Sequence, residues 1–380
     1  MEERTQPKKL LLVANVVKEH VLKFHVPTIR YLKEQGWSVD VAASGEETVP
    51  YCDRQIHGVW KRSPFTLDTI RGVFQLRRIL AQEHYDIVYC HTPVGALVTR
   101  LAAIGARRRG TKVVYFAHGF HFFSGAPLRN WLIYFPIEWM LSHVTDLLIA
   151  TNHEDYERIQ RVFPKKVAKT HIQGVGVDFK RLDVEDKAQA RKAWREEWSI
   201  PQDALLLVYV AELIKNKNQG MLLDMLAKVR KTRPDAYLAL IGPDHADGAY
   251  QRMAEEMGLG DYVVFTGWRS DIGACLHAAD IAVASSIREG LGLNVVESMY
   301  CGLPVVATDN RGHLSILKDG VNGFIVHVGD SEKMAERVLE LAENEPLRRQ
   351  FAGADITEFG VDVVPRIIFE TLDQVEGLHS

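Results

Sequence analysis

No stretch of 18 apolar residues occurs in this 380-residue chain, so a membrane-spanning helix is excluded, although a chain that lies on a bilayer is not. Cysteine is scarce. Cys52, Cys90, Cys275 and Cys301 show neither metal-ligand nor redox spacing, and a chain this large needs no covalent staples, so a reducing cytoplasm is the expected setting. The start, MEERTQPKKLLLVANV, places acidic residues ahead of a short apolar run that Lys18 and Glu19 then break, which disfavours a cleaved export signal. A G-x-G-x-x-G turn is missing after the first apolar run of either half, which disfavours two nicotinamide-binding halves. No nucleic-acid-binding motif or stacking platform is present.

What is present describes a full-sized globular core. Hydrophobic residues make up 47% and charged residues 25%, close to soluble averages, and the length predicts two domains of near-equal size. The net charge of -3 conceals an asymmetry. Residues 1–180 hold 25 Lys/Arg against 17 Asp/Glu, and residues 181–380 hold 21 against 32, so the halves are suited to different partners.

Short apolar runs alternate with amphipathic stretches throughout. Runs at 8–15, 38–43, 86–90, 112–116 and 145–150 predict strands, with helices near 20–35, 66–82, 94–107, 129–142 and from 152. A polar connector and a short surface helix follow at 174–200. A second series has strands at 204–210, 236–242, 262–267, 280–286 and 303–309, an edge strand at 323–326, and helices between them. Near-continuous apolar strands between helices require parallel sheets covered on both faces. The fold class is therefore α/β, two doubly wound parallel-sheet domains expected to face each other across a cleft. The expected boundaries are 1–180, 181–355 and a C-terminal helix at 356–380 packing back on the first domain. Ligands of such sheets bind beyond the carboxyl ends of the strands.

The stretch SSIREGLGLNVVESMYCGLPVVATD, Ser285 to Asp309, stands at such an end. Gly290 and Gly292 let backbone approach a ligand, and the helix that begins there offers unpaired N–H groups to an anion. Glu289 and Glu297, eight apart, can reach different parts of one elongated ligand. Carboxylates accept hydrogen bonds from vicinal sugar hydroxyls, so a nucleoside diphosphate sugar fits; the plainer reading is a solvated Glu289 and a helix-surface Glu297.

Together with CGLPVVATD and DGVNGFIV, this stretch resembles glycosyltransferase family 4, the retaining nucleotide-sugar transferases of GT-B type, and most of all the capsular and exopolysaccharide enzymes that act on lipid-linked intermediates. The resemblance covers nearly the whole chain. It implies that Glu289 lies near the donor sugar, that Glu297 binds the ribose, and that the backbone of Gly290, Leu291, Gly292 and Leu293 holds sugar and phosphate. It places Trp268 and Arg269 near the nucleobase and His118 at the donor sugar. The family's basic pair for the diphosphate is only half matched: Lys217 corresponds, but Glu212 occupies the arginine position, and Lys215 is the alternative cation. The usual Gly-Gly turn after the first strand is replaced by Val17 to His20, where Lys18 and His20 are candidates for an acceptor phosphate.

The function so implied is retaining transfer of a hexose or N-acetylhexosamine from a UDP-linked donor to a polyprenyl-diphosphate-linked saccharide in surface polysaccharide synthesis. No D-x-D pair is evident, and no metal is expected. His118 and His121, three apart, lack further ligands nearby in sequence. The alternatives are a UDP-sugar 2-epimerase and a non-enzymatic scaffold that binds sugar nucleotides. The aromatic run LRNWLIYFPIEWMLSH, with Arg107, Arg108, Arg109 and Lys112, suggests a peripheral protein on the inner face of the plasma membrane, held by anionic lipid. A buried-core reading of the same run is equally open.

Overall fold

The computed structural model describes residues 7–61 and 66–375. The first six residues, part of the export-signal reading, and the last five of the expected C-terminal segment lie outside the described residues. The chain forms two compact units, one running to Gly176 and resuming at Val361, the other Val177–Gly360.

The first unit has seven parallel strands: β1 (Lys9–Val16), β2 (Ser38–Ser44), β3 (Arg54–His57), β4 (Ile87–His91), β5 (Lys112–Ala117), β6 (Leu147–Ala150) and β7 (Ala168–His171), in the order β3-β2-β1-β4-β5-β6-β7. Its period-2 side chains divide between two cores. Leu11 and Val13 enter a core with the helices Leu67–Gln82, Pro93–Ala102 and Leu128–Ser142. Leu10, Leu12 and Ala14 enter the opposite core with the helix Val26–Glu34 and the C-terminal helix Val364–Gln374, which buries Val364, Ile368 and Leu372. Phe369 closes that contact edge-on to Tyr31 and Trp37.

The second unit has six parallel strands: β8 (Leu205–Val210), β9 (Ala236–Ile241), β10 (Val263–Gly267), β11 (Ile281–Ala284), β12 (Val305–Thr308) and β13 (Phe324–Val326), in the order β10-β9-β8-β11-β12-β13. Both sheets reverse their direction of winding beside their first strand, between β1 and β4 and between β8 and β11, which is where doubly wound sheets open a crevice.

Registers are set at the amino edges by one device used four times. Asp53, Asp86, Asp146 and Asp280 each stand one residue ahead of a strand and accept the N–H of a residue starting the neighbouring strand. The bonds are Val39 N to Asp53 at 2.7 Å, Lys9 N to Asp86 at 2.7 Å, Val113 N to Asp146 at 2.8 Å and Leu206 N to Asp280 at 2.8 Å. Asp280 also holds Arg191 at 2.8 Å and the fully buried Arg195 at 2.9 Å. The helix Lys187–Glu197, expected to lie on the surface, is thereby tied inward, with Trp194 and Arg195 both buried. Asp280→Ala should lower stability by roughly 3 kcal/mol, because Arg195 is left without its counter-charge. Asp53→Ala, at an exposed pair with Lys33, should cost about 1 kcal/mol. Urea unfolding of both variants checks the ranking.

Candidate active site

In the second unit the loops after β8 and β11 meet at the switch point. After β8 the chain turns through the short helical turn Lys215–Lys217, and after β11 it runs through Ser285 to Gly292 into the helix Leu293–Tyr300. The two loops are stitched together by backbone-directed bonds: Ile287 N to Asn216 O at 2.8 Å, Asn216 Nδ2 to Arg288 O at 2.9 Å and Ser285 Oγ to Lys217 O at 2.7 Å. On that frame Lys217 Nζ lies 2.5 Å from Glu289 Oε1, which also accepts from Ser286 Oγ at 2.6 Å; Ser286 in turn meets the buried Tyr209 hydroxyl at 2.7 Å. A cation, a carboxylate and two hydroxyls are thus held together beside the first turn of a helix.

Gly292 stands where backbone and side chain crowd: a Cβ there would come within 2.7 Å of the buried His313 ring. His313 was missed in the sequence. Burial depresses its pKa, and it is anchored by Asn310 and Thr308 behind the Glu289 loop. Asn310 and Thr308 lie within five residues of it, but nothing in their pattern marks a site.

A cavity of about 430 Å³ opens beside these loops, and its walls include Glu212, Gly242, Trp268, Arg269, Arg181 and Glu297. Gly242 makes it possible for the ends of β8 and β9 to approach. Its φ is +152°, and a Cβ would meet the Ala211 carbonyl oxygen at 2.2 Å. Glu297 is buried and bonded to Arg181, a residue of the connector that sequence reasoning passed over. Burial raises the Glu297 pKa, opposed by the Arg181 charge. Arg269 is held by Glu197 at 2.6 Å and by Asp271 at 2.7 Å; its bonds to Asp271 and then Glu197 raise its pKa, so its charge is already matched. Trp268 is 73% exposed, an indole presented at the cavity rather than a cap buried on the next helix.

The structure therefore brings Lys217 to Glu289, and brings Trp268, Arg269 and Glu297 to one cavity. Gly290, Leu291, Gly292 and Leu293 form the turn into the helix. Lys215 is exposed and does not share the Glu289 contact. Glu212 points its residue into the cavity wall while its carbonyl accepts from Gln219 Nε2 at 2.8 Å.

In the first unit Lys18 is exposed and His20 half-buried, on the helical turn Val17–Val21 that follows β1. Burial pushes the His20 pKa down to about 4, so at neutral pH it offers a phosphate a hydrogen bond and no charge. His118 follows β5, and its Nε2 lies 3.1 Å from His91 Nδ1. His121, considered with it in the sequence, turns away to stack on Tyr134, ring centroids 4.5 Å apart. A second cavity of about 390 Å³ is lined by Asn15, Glu19, His20, His121, Tyr134 and Glu138, among others.

Two parallel Rossmann-like domains with this loop chemistry define a GT-B type transferase of sugars. Family descriptions agree: residues 190–355 match "Glycosyl transferases group 1" and residues 9–152 match "Glycosyl transferase 4-like". The chain is 43% identical over 343 residues, 90% of each chain, to EpsD of Bacillus subtilis (strain 168), which carries a provisional glycosyltransferase designation. It is 24% identical over 290 residues, 73% of this chain and 72% of the other, to the UDP-Gal:alpha-D-GlcNAc-diphosphoundecaprenol alpha-1,3-galactosyltransferase of Escherichia coli. The fold matches that of Anabaena HepE, solved with UDP and glucose, at a TM-score of 0.78 and 20% identity, covering 97% of this chain and 100% of that one. The protein belongs to the glycosyltransferases of this group 1 and 4-like family and is an enzyme of that kind.

Proposed function

We propose that the protein transfers a hexose or N-acetylhexosamine, with retention, from a UDP-linked donor to a polyprenyl-diphosphate-linked saccharide in surface polysaccharide synthesis. The observation that carries this reading is the Lys217–Glu289 contact at the start of the helix Leu293–Tyr300. A diphosphate leaving group gathers negative charge as the sugar departs, and a lysine and a helix N-terminus stabilise that charge more in the transition state than in the ground state. Glu289, 2.5 Å from Lys217, orients the donor sugar by accepting from its hydroxyls. The acceptor hydroxyl enters on the face the diphosphate leaves, and the leaving phosphate takes its proton. Glu297 takes the ribose, with Arg181 holding its carboxylate in place, and Trp268 covers the base. His118, expected at the donor sugar, meets His91 through its Nε2 alone. The UDP and glucose of HepE and the diphosphoundecaprenol acceptor of the Escherichia coli relative support the choice of substrates.

Membrane attachment belongs to the same proposal, for which the first unit supplies an outward-facing apolar surface. Among the described residues no helix is long and apolar enough to cross a membrane. The aromatic run divides between its two readings: Trp131, Tyr134 and Phe135 pack on the core, whereas Leu128, Leu132, Ile133, Trp139 and Met140 are exposed. The helix Leu67–Gln82, on the same face of the sheet, exposes Leu67, Ile70 and Phe74, with Arg77 and Arg78 beside them. The basic cluster is less available than expected. Arg107 is bound by Asp146 at 2.6 Å and Arg109 by the Leu80 carbonyl at 2.5 Å, while Arg108 is exposed. Anionic headgroups are therefore assigned to Arg77, Arg78 and Arg108, and acyl chains to the exposed apolar residues.

Lys217→Ala should reduce turnover on the order of 10²-fold to 10³-fold while donor affinity changes less, measured by steady-state transfer to a detergent-solubilised polyprenyl-diphosphate saccharide. A donor that is altered with no acceptor present would replace this proposal by epimerisation. Full turnover in Lys217→Ala with loss in Lys215→Ala would move the diphosphate contact to Lys215.

Glu297→Gln should weaken UDP binding by about 1.5–3 kcal/mol, the worth of hydrogen bonds to a charged acceptor. Equal calorimetric affinity in mutant and parent would remove Glu297 from the ribose.

Vesicles containing anionic lipid should pellet the protein at low salt and release it as salt rises, since exposed charges are screened within about 10 Å at 0.1 M. Replacing Leu132 and Phe74 by Glu should abolish pelleting without lowering the melting temperature, because both side chains are solvent-facing.

A further inference from the structure

Four histidines from three separate strand ends converge in the first unit. His20 and His25 come from the turns after β1, His91 is the last residue of β4, and His118 follows β5, so all stand at the carboxyl edge beside the winding reversal. One ring nitrogen from each lies within 4.8 Å of the other three. The ring centroids of His25 and His91 are 3.9 Å apart, those of His20 and His25 4.8 Å, and those of His20 and His118 5.1 Å.

Packing of this kind is costly without a further partner. His25 and His91 are 1% and 0% exposed. The Nε2 atoms of His20 and His25 are buried and meet no hydrogen-bonding group, while His91 turns its Nδ1 to His118 Nε2 and leaves its own Nε2 unpaired. An unsatisfied buried polar atom calls for an explanation, and those of His20 and His25, beside the His91–His118 pair, share one. Burial holds all four rings below the usual histidine range, hence neutral, and the neutral imidazole is the form that donates a lone pair to a metal. Diphosphates or carboxylates are poorly suited to the same place, since neutral rings bring them no charge.

We propose that His20, His25, His91 and His118 bind one divalent transition-metal ion, with Zn²⁺ the best match. Imidazole suits zinc, and four nitrogen ligands satisfy its tetrahedral preference. Tetrahedral ligation at about 2.05 Å sets the nitrogens roughly 3.4 Å apart, against a present spread of up to 4.8 Å, so small ring rotations complete the site. The His91–His118 pair, at 3.1 Å, already has that spacing, and the ion would replace the proton the two rings share. The ion's role is structural: it pins the turn Val17–Val21 to the ends of β4 and β5 and so fixes the wall that His20 and Glu19 give to the 390 Å³ cavity. This departs from the expectation that the chain takes no metal. Its test is separate from that of the Lys217–Glu289 contact, because all four ligands belong to the first unit and that contact to the second.

The test uses the full chain without a histidine tag, stripped by chelator and equilibrated by dialysis against buffered Zn²⁺. About one equivalent should be retained, Mg²⁺ should not compete, and Co²⁺ should give the intense visible bands of tetrahedral nitrogen ligation. Zn²⁺ should also raise the melting temperature of the stripped protein. His25→Asn and His91→Asn can fail to fold, so the deciding variant is the half-buried pair His20→Gln with His118→Gln. It should lose at least about tenfold in Zn²⁺ affinity and lose the thermal shift. His153→Gln, in the other stacked histidine pair with His171, should bind as the parent does. A folded, stripped parent that takes up no zinc overturns the proposal, as does a double variant that binds as tightly as the parent.

Discussion

Each of four aspartates, placed one residue ahead of a strand, takes the N–H of a residue at the start of its neighbour, and through that bond the carboxyl ends of the sheets become usable. A parallel pair has evenly spaced, slanted bonds and no tight turn to set its register, so register must come from elsewhere. Asp86 aligns β4 with β1 and Asp280 aligns β11 with β8, the two pairs that flank the winding reversals. A slip of one residue would exchange the two faces of a strand and carry the loop after it out of place. The bond that holds Leu206 to Asp280 at one edge thus decides at the other whether Lys217 can stand 2.5 Å from Glu289.

The electrostatics of the second unit follow from how the cations at that edge are matched by carboxylates. Glu212 stands where the family resemblance leads one to expect arginine, and Arg269 is matched by Glu197 and Asp271. Arg181 is bonded to Glu297, Lys217 to Glu289, and Arg311 Nε donates to the Glu289 carbonyl at 3.3 Å. Lys217 is itself paired with Glu289, and that pairing keeps the lysine in position and offsets the desolvation of two largely buried charges. A diphosphate arriving there would compete with a carboxylate for one ammonium, whose three donors allow it to serve both.

How much of this could be read from the chain depended on whether each element has an apolar face of its own. β1, β4, β5, β8 and β12 are continuous apolar runs because they are buried on both faces. β3, RQIH, and β7, AKTH, escaped notice: both are sheet edges, with side chains partly in solvent and no run to betray them. The helix expected over 20–35 is interrupted at His25, where a wider turn at Val17–Val21 gives way to Val26–Glu34; periodicity sees the apolar face and not the break. Glu289, Glu297 and Lys217 were legible because the chain holds them within or beside recognisable stretches. Arg181 was not, since its partner lies 116 residues away. The histidine cluster was invisible for the same reason: His91 and His118 arrive on different strands, and only the winding order places them beside His25.

The first unit also shows how an apolar surface can be left in solvent without unravelling the helix that bears it. The helix Leu128–Ser142 contains Pro136 and exposes five large apolar residues, so its own propensity and burial give it modest support. Its hold on the unit comes from the other side. Glu138 is paired with the buried Arg100 of the helix Pro93–Ala102 at 2.8 Å, and Arg100 lies over the Tyr115 ring of β5, 4.3 Å from its centroid. Breaking such a pair is expensive because it leaves a buried charge alone. That pair fixes the helix to the sheet while Trp131, Tyr134 and Phe135 fill the core beneath it. The outward residues add little to that hold, which leaves them available for the lipid contact proposed above.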